Sequence, residues 1–484
     1  MSEEILQLLL RKEEWHTFEC KRALISPSKL LETAVAFANT DGGTIAVGLE
    51  DPKKATGRNR VTGISEGASN LSDFLKLLEK DIDPPLPPVQ REETPITNRD
   101  NKSDHLALFR IPKSDTVHSL KNGDTFVRRG QQNVKIGARE IERLQYEKGA
   151  RHFEDEASTI QDITELDEGL LKKYIDDTGG AGLDIWQFLK DNGLAVRRNG
   201  TMVLTKAGVL LFGKNPSVLL KGKCGIKISH YFGTAPTYSG NPNFVEKPFT
   251  IEGPLLKQIE VALGYFRSVV KKSPPKLRGA TFRPSILIPE WAFQESVTNA
   301  VVHRNYSIAD DIHIRFFDDR VEIESPGTYP GHVTANNLRT ERFARNPLIQ
   351  RTLNRFEDSP NLDIGEGVDR MFKIMKEHNL YEPLYLPPNI RPNSVLLMLL
   401  NLQRLKYWDT VSKYLDKHFI IANQKAREIT DIQDSVEMSR LLKGWVKQGL
   451  LQRLGSSKKA AYYKKPNVEL SRGLFSRPLK IKRK

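Results

Sequence analysis

Apolar and polar residues follow each other along this chain with two different periods, and each change of period marks an element. In LLETAVAFANTDGG the apolar residues keep helical spacing up to Ala38 and then give way to a turn. TIAVGLED follows as a buried strand, with Val, Ile and Leu between turn signals. DPPLPP (Asp83–Pro88) cannot continue a helix and predicts a loop. HLALFRIP and DTFVRRG read as two further strands, so residues 1–148 form one α+β unit. The acidic stretch Gly149–Asp167 reads as a linker or a short helix.

A second unit, 149–285, has helices in GLLKKYIDD and DIWQFLKDNGL, a helix TKAGVLLFG closed by its glycine, and a strand in KCGIKISHYFG. A long amphipathic helix over Ile251–Lys271 ends it, stopped by SPPK. Residues 286–401 read as helix, strand, strand, loop, helix, strand. Residues 405–466 are small and mostly helical, and 467–484 form a basic, flexible tail. The fold class is α+β and multidomain, as expected for 484 residues at roughly 100–200 per domain.

Composition narrows the function classes. Hydrophobic residues make up 38% and charged residues 28%, the balance of a folded soluble protein. No apolar stretch approaches the roughly 20 residues that a membrane span needs, so no membrane partner is expected. The N-terminus MSEEILQLLLRKEEW has acids where a secretory signal has bases and reads as an amphipathic helix. The only two cysteines, Cys20 and Cys224, lie far apart with no CxxC partner. This argues against a disulfide frame and a zinc-thiolate site, and fits a reducing cytoplasm. The net charge of +14 favours polyanions, and the tail SRGLFSRPLKIKRK concentrates it in Arg472, Arg477, Lys480, Lys482, Arg483 and Lys484 without an acid.

Near the N-terminus, strand alternation across EEWHTFECKR places Thr17, Glu19 and Lys21 on one face, with Phe18 and Cys20 turned inward. The turn Asn39–Gly43 leads into a strand that delivers Glu50 and Asp51. Glu14, Glu19 and Asp51 are candidate ligands for Mg2+ or Mn2+ that would activate water against a phosphodiester, with Lys21 offsetting developing charge. On residue spacing alone the same acids read rather as solvated groups or as partners of nearby Lys and Arg.

TFECKR, AFANTDGGTIAVGLED and FVRRGQQNVKIG, in that order, resemble the Schlafen-type AlbA-like domain over about the first 150 residues. The resemblance implies nucleic-acid binding and, through Glu14, Glu19 and Asp51, an alternative role as an ATP-gated nuclease acting on DNA or tRNA, in antiviral defence. It also favours Arg128 and Arg129, at the end of DTFVRRG, as phosphate contacts rather than surface ion pairs.

WAFQESVTNAVVHRNY places Glu295, Asn299 and His303 four residues apart on one helical face. Asn299 offers a neutral oxygen to Mg2+, and Glu295 can orient or deprotonate water. The strands IHIRFF and RVEIESPG follow, the second ending at Gly327. DIGEGVDRMFKIM then sets Gly365 and Gly367 at a helix start, where free backbone N–H groups can cradle phosphates.

This order resembles a divergent branch of the GHKL ATPase superfamily, found in bacterial regulators and proteins similar to a helicase C-terminal part. It implies an α/β sandwich over 286–401, ATP with Mg2+, Glu295 as general base, and Asn299, His303, Gly327, Gly365 and Gly367 as nucleotide-binding positions. The superfamily's adenine-recognising aspartate is missing: the turn reads Glu324-Ser325-Pro326-Gly327. No GxxxxGK[ST] loop is present, so no helicase motor is expected.

ANQKAREITDIQDSVEMSRLLKGWVKQGLL reads as helix, turn, helix, with Asp434-Ser435 capping the second. Met438, Leu441, Leu442, Trp445 and Val446 give that helix an inner face; Ser439, Arg440, Lys443 and Lys447 lie outward. A β-hairpin with Lys458 and Lys459 at its tip follows. The outline resembles the winged helix of bacterial regulators, which binds DNA or, in other proteins, docks proteins. The basic outer face and the basic tail favour DNA over protein docking, and DNA rather than RNA is the expected partner. The whole reads as a nucleotide-responsive DNA-binding transcriptional regulator acting as a homo-oligomer, at least a dimer.

Overall fold

The computed structural model describes residues 6–7, 9–10, 14–237, 240–272, 276–278, 281–283, 286–360, 366–386, 393–405, 407–418, 420–447, 450–454 and 461–464. The N-terminal unit is a four-stranded sheet in the order β1 (Phe18–Lys21), β2 (Gly43–Val47), β4 (Ser103–Ile111), β3 (Gln90–Thr97). β1 and β2 run parallel, so a crossover must join them, and α1 (Pro27–Asn39) supplies it. Pro27 sits at the first turn of α1, where its missing N–H costs nothing. α1 is buried around most of its girth because the sheet covers one side and the hairpin β5 (Thr125–Arg129)–β6 (Gln132–Ile136) another.

Gly42 ends the crossover at φ +72°, with Ile111 O and Lys113 N 2.8 Å from where a Cβ would stand, so no other residue fits this turn. Along β1 the alternation holds. Phe18 and Cys20 enter an apolar cluster with Ala46, Leu49 and Leu106, while Glu19 and Lys21 face the opposite way. A second helix, α2 (Ala68–Lys80), packs on α1, and α3 (Ala138–Lys148) closes the unit.

The middle of the chain departs from the expected division at residue 285. Its six-stranded sheet has the order β8 (Phe249–Ile251), β7 (Ile226–His230), β9 (Ile312–Phe316), β10 (Arg320–Pro326), β12 (Ser394–Leu400), β11 (Leu384–Tyr385). β7 pairs in parallel with β9, Ile226 opposite Ile312, across the expected boundary. One hydrophobic core runs without a break from Leu166 to Leu399. The expected helix over Ile251–Lys271 also begins later: Ile251 belongs to β8, and α6 spans Leu255–Lys272. Gly253 and Pro254 separate the two, and proline favours an extended residue before it.

The expected linker is docked rather than free. It contains two single 3₁₀ turns, Phe153–Asp155 and Ile163–Glu165. Glu154 accepts the backbone N–H groups of Leu348 (2.8 Å) and Ile349 (2.7 Å), capping the helix Pro347–Asn354. Burial pushes this carboxyl up to about 7, against the pull of those two N–H groups.

The C-terminal unit carries α10 (Trp408–Lys417), α11 (Asn423–Thr430) and α12 (Ser435–Lys447) on a sheet ordered Ile421–Ala422, Ala461–Lys464, Leu451–Leu454. Here α4 and α5 are Glu168–Asp177 and Lys206–Phe212, α7 is Glu290–Val302, α8 Pro347–Asn354 and α9 Gly367–Glu377. The unit's own core joins Trp408 to Met438, Leu442 and Trp445.

Candidate functional site

α7 lies against the central sheet with most of its length buried, and its cavity-facing polar side chains are one turn apart. Asn299 Nδ2 donates to Glu295 Oε1 at 2.9 Å. An ionised carboxylate only accepts, so the amide must turn its N–H₂ toward it, which leaves Oδ1 for another partner. Glu295 is buried; desolvation raises its pKa above the ordinary carboxylate range, while Asn299 and the Arg370 guanidinium pull it back. Both line a cavity of about 580 Å³ together with His303, Gly327 and Gly367. Gly327 and Gly367 lie 28 and 68 positions beyond Asn299, so local spacing alone does not bring them to one wall.

The two glycines make the cavity. At Gly367, the first residue of α9, a Cβ would stand 1.7 Å from Glu295 Oε1, so only glycine lets this helix start meet the carboxylate. Gly327, at φ +104°, leaves room for the Arg345 Nη1, which a Cβ would approach to 2.5 Å. Gly365, the other expected glycine, lies outside the described residues.

Motif reading missed the arginines. Arg339, Arg342, Arg345 and Arg370 line the same cavity. The three-residue rhythm of the first three was a visible signal, but no periodic apolar pattern assigned that loop a face. Arg345 is buried and donates to His303 O (2.8 Å) and Thr328 O (2.5 Å), which ties the end of α7 to the turn after β10. Burial pulls its guanidinium down to about 10, Glu147 resisting. In the turn that lacks the adenine-recognising aspartate, Glu324 and Ser325 face different ways. Glu324 is held by Arg315 (2.7 Å) and Ser394 (2.7 Å) and does not line the cavity. Ser325 does, being the next residue on an alternating strand; its hydroxyl donates to Ala300 O at 2.8 Å.

The N-terminal carboxylates do not form the expected trio. Lys21 Nζ lies 3.2 Å from Glu14 and also pairs with Glu19. Glu19 holds Arg128 as well. Asp51 turns to its own loop, where it accepts from Lys53 N at 2.8 Å. Among the described residues no three acids, histidines or cysteines gather where a metal ion can be held. Each acid here meets a cation or a backbone N–H first.

Arg128 is therefore corrected from a surface phosphate contact to a buried residue whose charge is held by Glu19. It is 2% exposed, donates to Asn133 Oδ1 (2.8 Å) and Trp15 O (3.2 Å), and lies over the Phe37 ring. Its neighbour Arg129 points outward and pairs with Glu140 at the surface.

Two family models match this chain. "Schlafen, AlbA_2" matches residues 14–137, and "Putative ATP-dependent DNA helicase recG C-terminal" matches 309–397. The chain joins an AlbA-like unit to an ATPase-like unit. These matches support nucleic-acid binding together with ATP binding. The ATPase-like match begins after α7, so the placement of Glu295 and Asn299 rests on the cavity geometry. No curated protein matches. Among solved structures, the DIP2311 protein from Corynebacterium diphtheriae is 16% identical, covers 96% of each chain and superposes with a TM-score of 0.41, a level that carries no argument.

Beyond the ATPase-like unit, α12 presents Arg440 and Lys443 to solvent, and among the described residues neither has a hydrogen-bond or ion-pair partner. Asp434 caps the helix by accepting from Val436 N at 2.8 Å. Ser439, expected outward, is half-buried because Asn423 Nδ2 donates to it at 2.9 Å and ties α11 to α12. The side chain of Lys447, and Lys458 and Lys459 entirely, lie outside the described residues. No helix of the described residues is long and apolar enough to cross a membrane.

Proposed function

We propose that this protein is a nucleotide-responsive DNA-binding protein that works as a transcriptional regulator. The observation that carries the reading is the convergence of Glu295, Asn299, His303, Gly327 and Gly367, with four arginines, on one cavity. A cavity of about 580 Å³ suits a nucleotide, since ligand sites run from about 300 to 1,000 Å³.

The donor set fits a Mg2+-nucleotide: Asn299 Oδ1 is a hard oxygen ligand, and the arginines face polyphosphate charge. The metal, when bound, neutralises charge between the phosphates. The chain's own groups do the rest. The N-terminus of α9 offers backbone N–H groups to a phosphate. Ser325 keeps acceptor lone pairs for an amino group on the base, in the place where an acid was expected. Glu295 accepts a proton from water, and its raised pKa brings it closer to neutral pH, where a base works best.

DNA is engaged by the C-terminal unit, read as a winged helix with α12 as its recognition helix and Arg440 and Lys443 as unpaired cations. The protein acts as a dimer or larger homo-oligomer on paired half-sites. Binding of a Mg2+-ATP analogue by calorimetry and of duplex DNA by fluorescence anisotropy tests the reading. Asn299→Ala should abolish nucleotide binding and, with it, any effect of nucleotide on DNA affinity. Arg440→Ala and Lys443→Ala should each lower the salt dependence of DNA binding by about one unit of slope. Wild-type nucleotide affinity in Asn299→Ala would overturn the central assignment.

A further inference from the structure

A second cavity, about 600 Å³, lies between the AlbA-like unit and the ATPase-like unit, and Thr328 and Tyr329 form part of its wall as well as that of the nucleotide cavity. Its charges are mostly spent on one another. Asp41 holds His16 Nε2 at 2.7 Å and Lys113 at 3.7 Å. Glu147 pairs with Arg143 at 3.0 Å, Glu140 with Arg129, and Glu19 with Arg128.

Two donors are left over. Lys148 is 2% exposed and lines the cavity, yet its Nζ donates only to the neutral carbonyls of Ala38 (2.9 Å) and Ser114 (2.5 Å). Among the described residues it has no ion-pair partner, and an ammonium has three N–H donors. Arg128, equally buried and lining the same cavity, has an Nε with no hydrogen-bond partner. A buried cation without a counter-charge is costly, and an anion removes that cost.

We infer that this junction cavity binds a phosphate monoester, with Lys148 as its charge partner, the spare Nε–H of the Glu19-paired Arg128 as a further donor, and Trp15 beside the group it carries. Lys148 is one ammonium site without a counter-charge, which suits a monoester of roughly −1.5 to −2 better than a triphosphate. Trp15 lines the cavity and is half exposed, which leaves a flat face for a base to stack on. The chemistry is that of a free mononucleotide or of the phosphorylated end of a strand.

The test uses the full-length protein and calorimetry with AMP, inorganic phosphate, adenosine, and a short single strand with or without a 5′-phosphate. AMP should bind wild type and Asn299→Ala alike, because the nucleotide cavity is not its site. Lys148→Met should weaken AMP and phosphate about tenfold or more, and adenosine should show no such dependence. Trp15→Ala, at a half-exposed position, should weaken AMP about fivefold and leave phosphate unchanged, which decides the matter should Lys148→Met fail to fold. A preference for the 5′-phosphorylated strand that vanishes in Lys148→Met identifies a strand end; AMP binding without that preference identifies a free nucleotide. AMP binding that disappears in Asn299→Ala and persists in Lys148→Met and Trp15→Ala, or no binding of any of these ligands to wild type at millimolar concentration, would overturn the inference.

Discussion

The nucleotide cavity and the junction cavity enclose nearly equal volumes, about 580 and 600 Å³, and are built on opposite principles. In the first, glycines at 327 and 367 remove side-chain bulk so that a carboxylate, an amide and a helix start meet with binding capacity to spare. In the second, acids and bases from the two units are locked into pairs, and the capacity that remains is one ammonium and one guanidinium N–H. Volume therefore says little about chemistry; the count of unsatisfied donors and acceptors says more.

The contrast breaks most visibly at Arg128. Arg128→Ala removes the buried one of the two cations that hold Glu19, together with its bonds to Asn133 and Trp15, and should cost about 3–5 kcal/mol of stability, read by chemical denaturation. Arg129→Ala, one residue along at the surface, should change stability by no more than about 0.5 kcal/mol. Equal effects from the two would show that the junction charges are not locked.

Gly367→Ala should weaken nucleotide binding about 100-fold, because a methyl group lands on Glu295, while costing only about 1–3 kcal/mol of stability. Nucleotide affinity unchanged by that methyl group would mean that the cavity opens elsewhere.

Glu295→Gln should cut phosphate release from ATP about 100-fold and leave nucleotide affinity within a few-fold of wild type. The base must be ionised, so wild-type release should fall on the acid side, with a midpoint above the ordinary carboxylate range. A midpoint within that range argues against Glu295.

The smallest effect concerns Lys148. Burial lowers its pKa from 10.5 to about 7, Lys113 pushes the same way, and Asp41, Glu147 and Asp115 push back. Between these two values the unfolded chain keeps a proton that the folded protein has shed. Stability should therefore rise as pH increases above about 7, by at most about 1.4 kcal/mol per unit, and Lys148→Met should flatten that rise. An unchanged slope in Lys148→Met would assign the effect to another group.

Much of this was legible before any coordinates. Helical spacing put Glu295 and Asn299 on one face, and strand alternation separated Phe18 and Cys20 from Glu19 and Lys21. Arg128 was misread because a strand residue's role depends on what covers its face, and here α1 and β1 cover it. The absence of the adenine-recognising aspartate was legible, but that Ser325 rather than Glu324 faces the cavity was not, since on a strand one residue is the difference between the cavity and the other side of the sheet.

The sequence by itself determined the elements: local period, proline and glycine placement, and capping residues act within a few positions of the chain. It also carried the order of motifs that both family matches reflect. Only the tertiary structure decided which elements share a sheet, as when β7 paired with β9 across an expected boundary, and which charges spend themselves on one another. The physical reason is range. A dihedral preference is set by neighbours in sequence, whereas the partner of a buried charge is whatever the folded chain brings within a few ångströms.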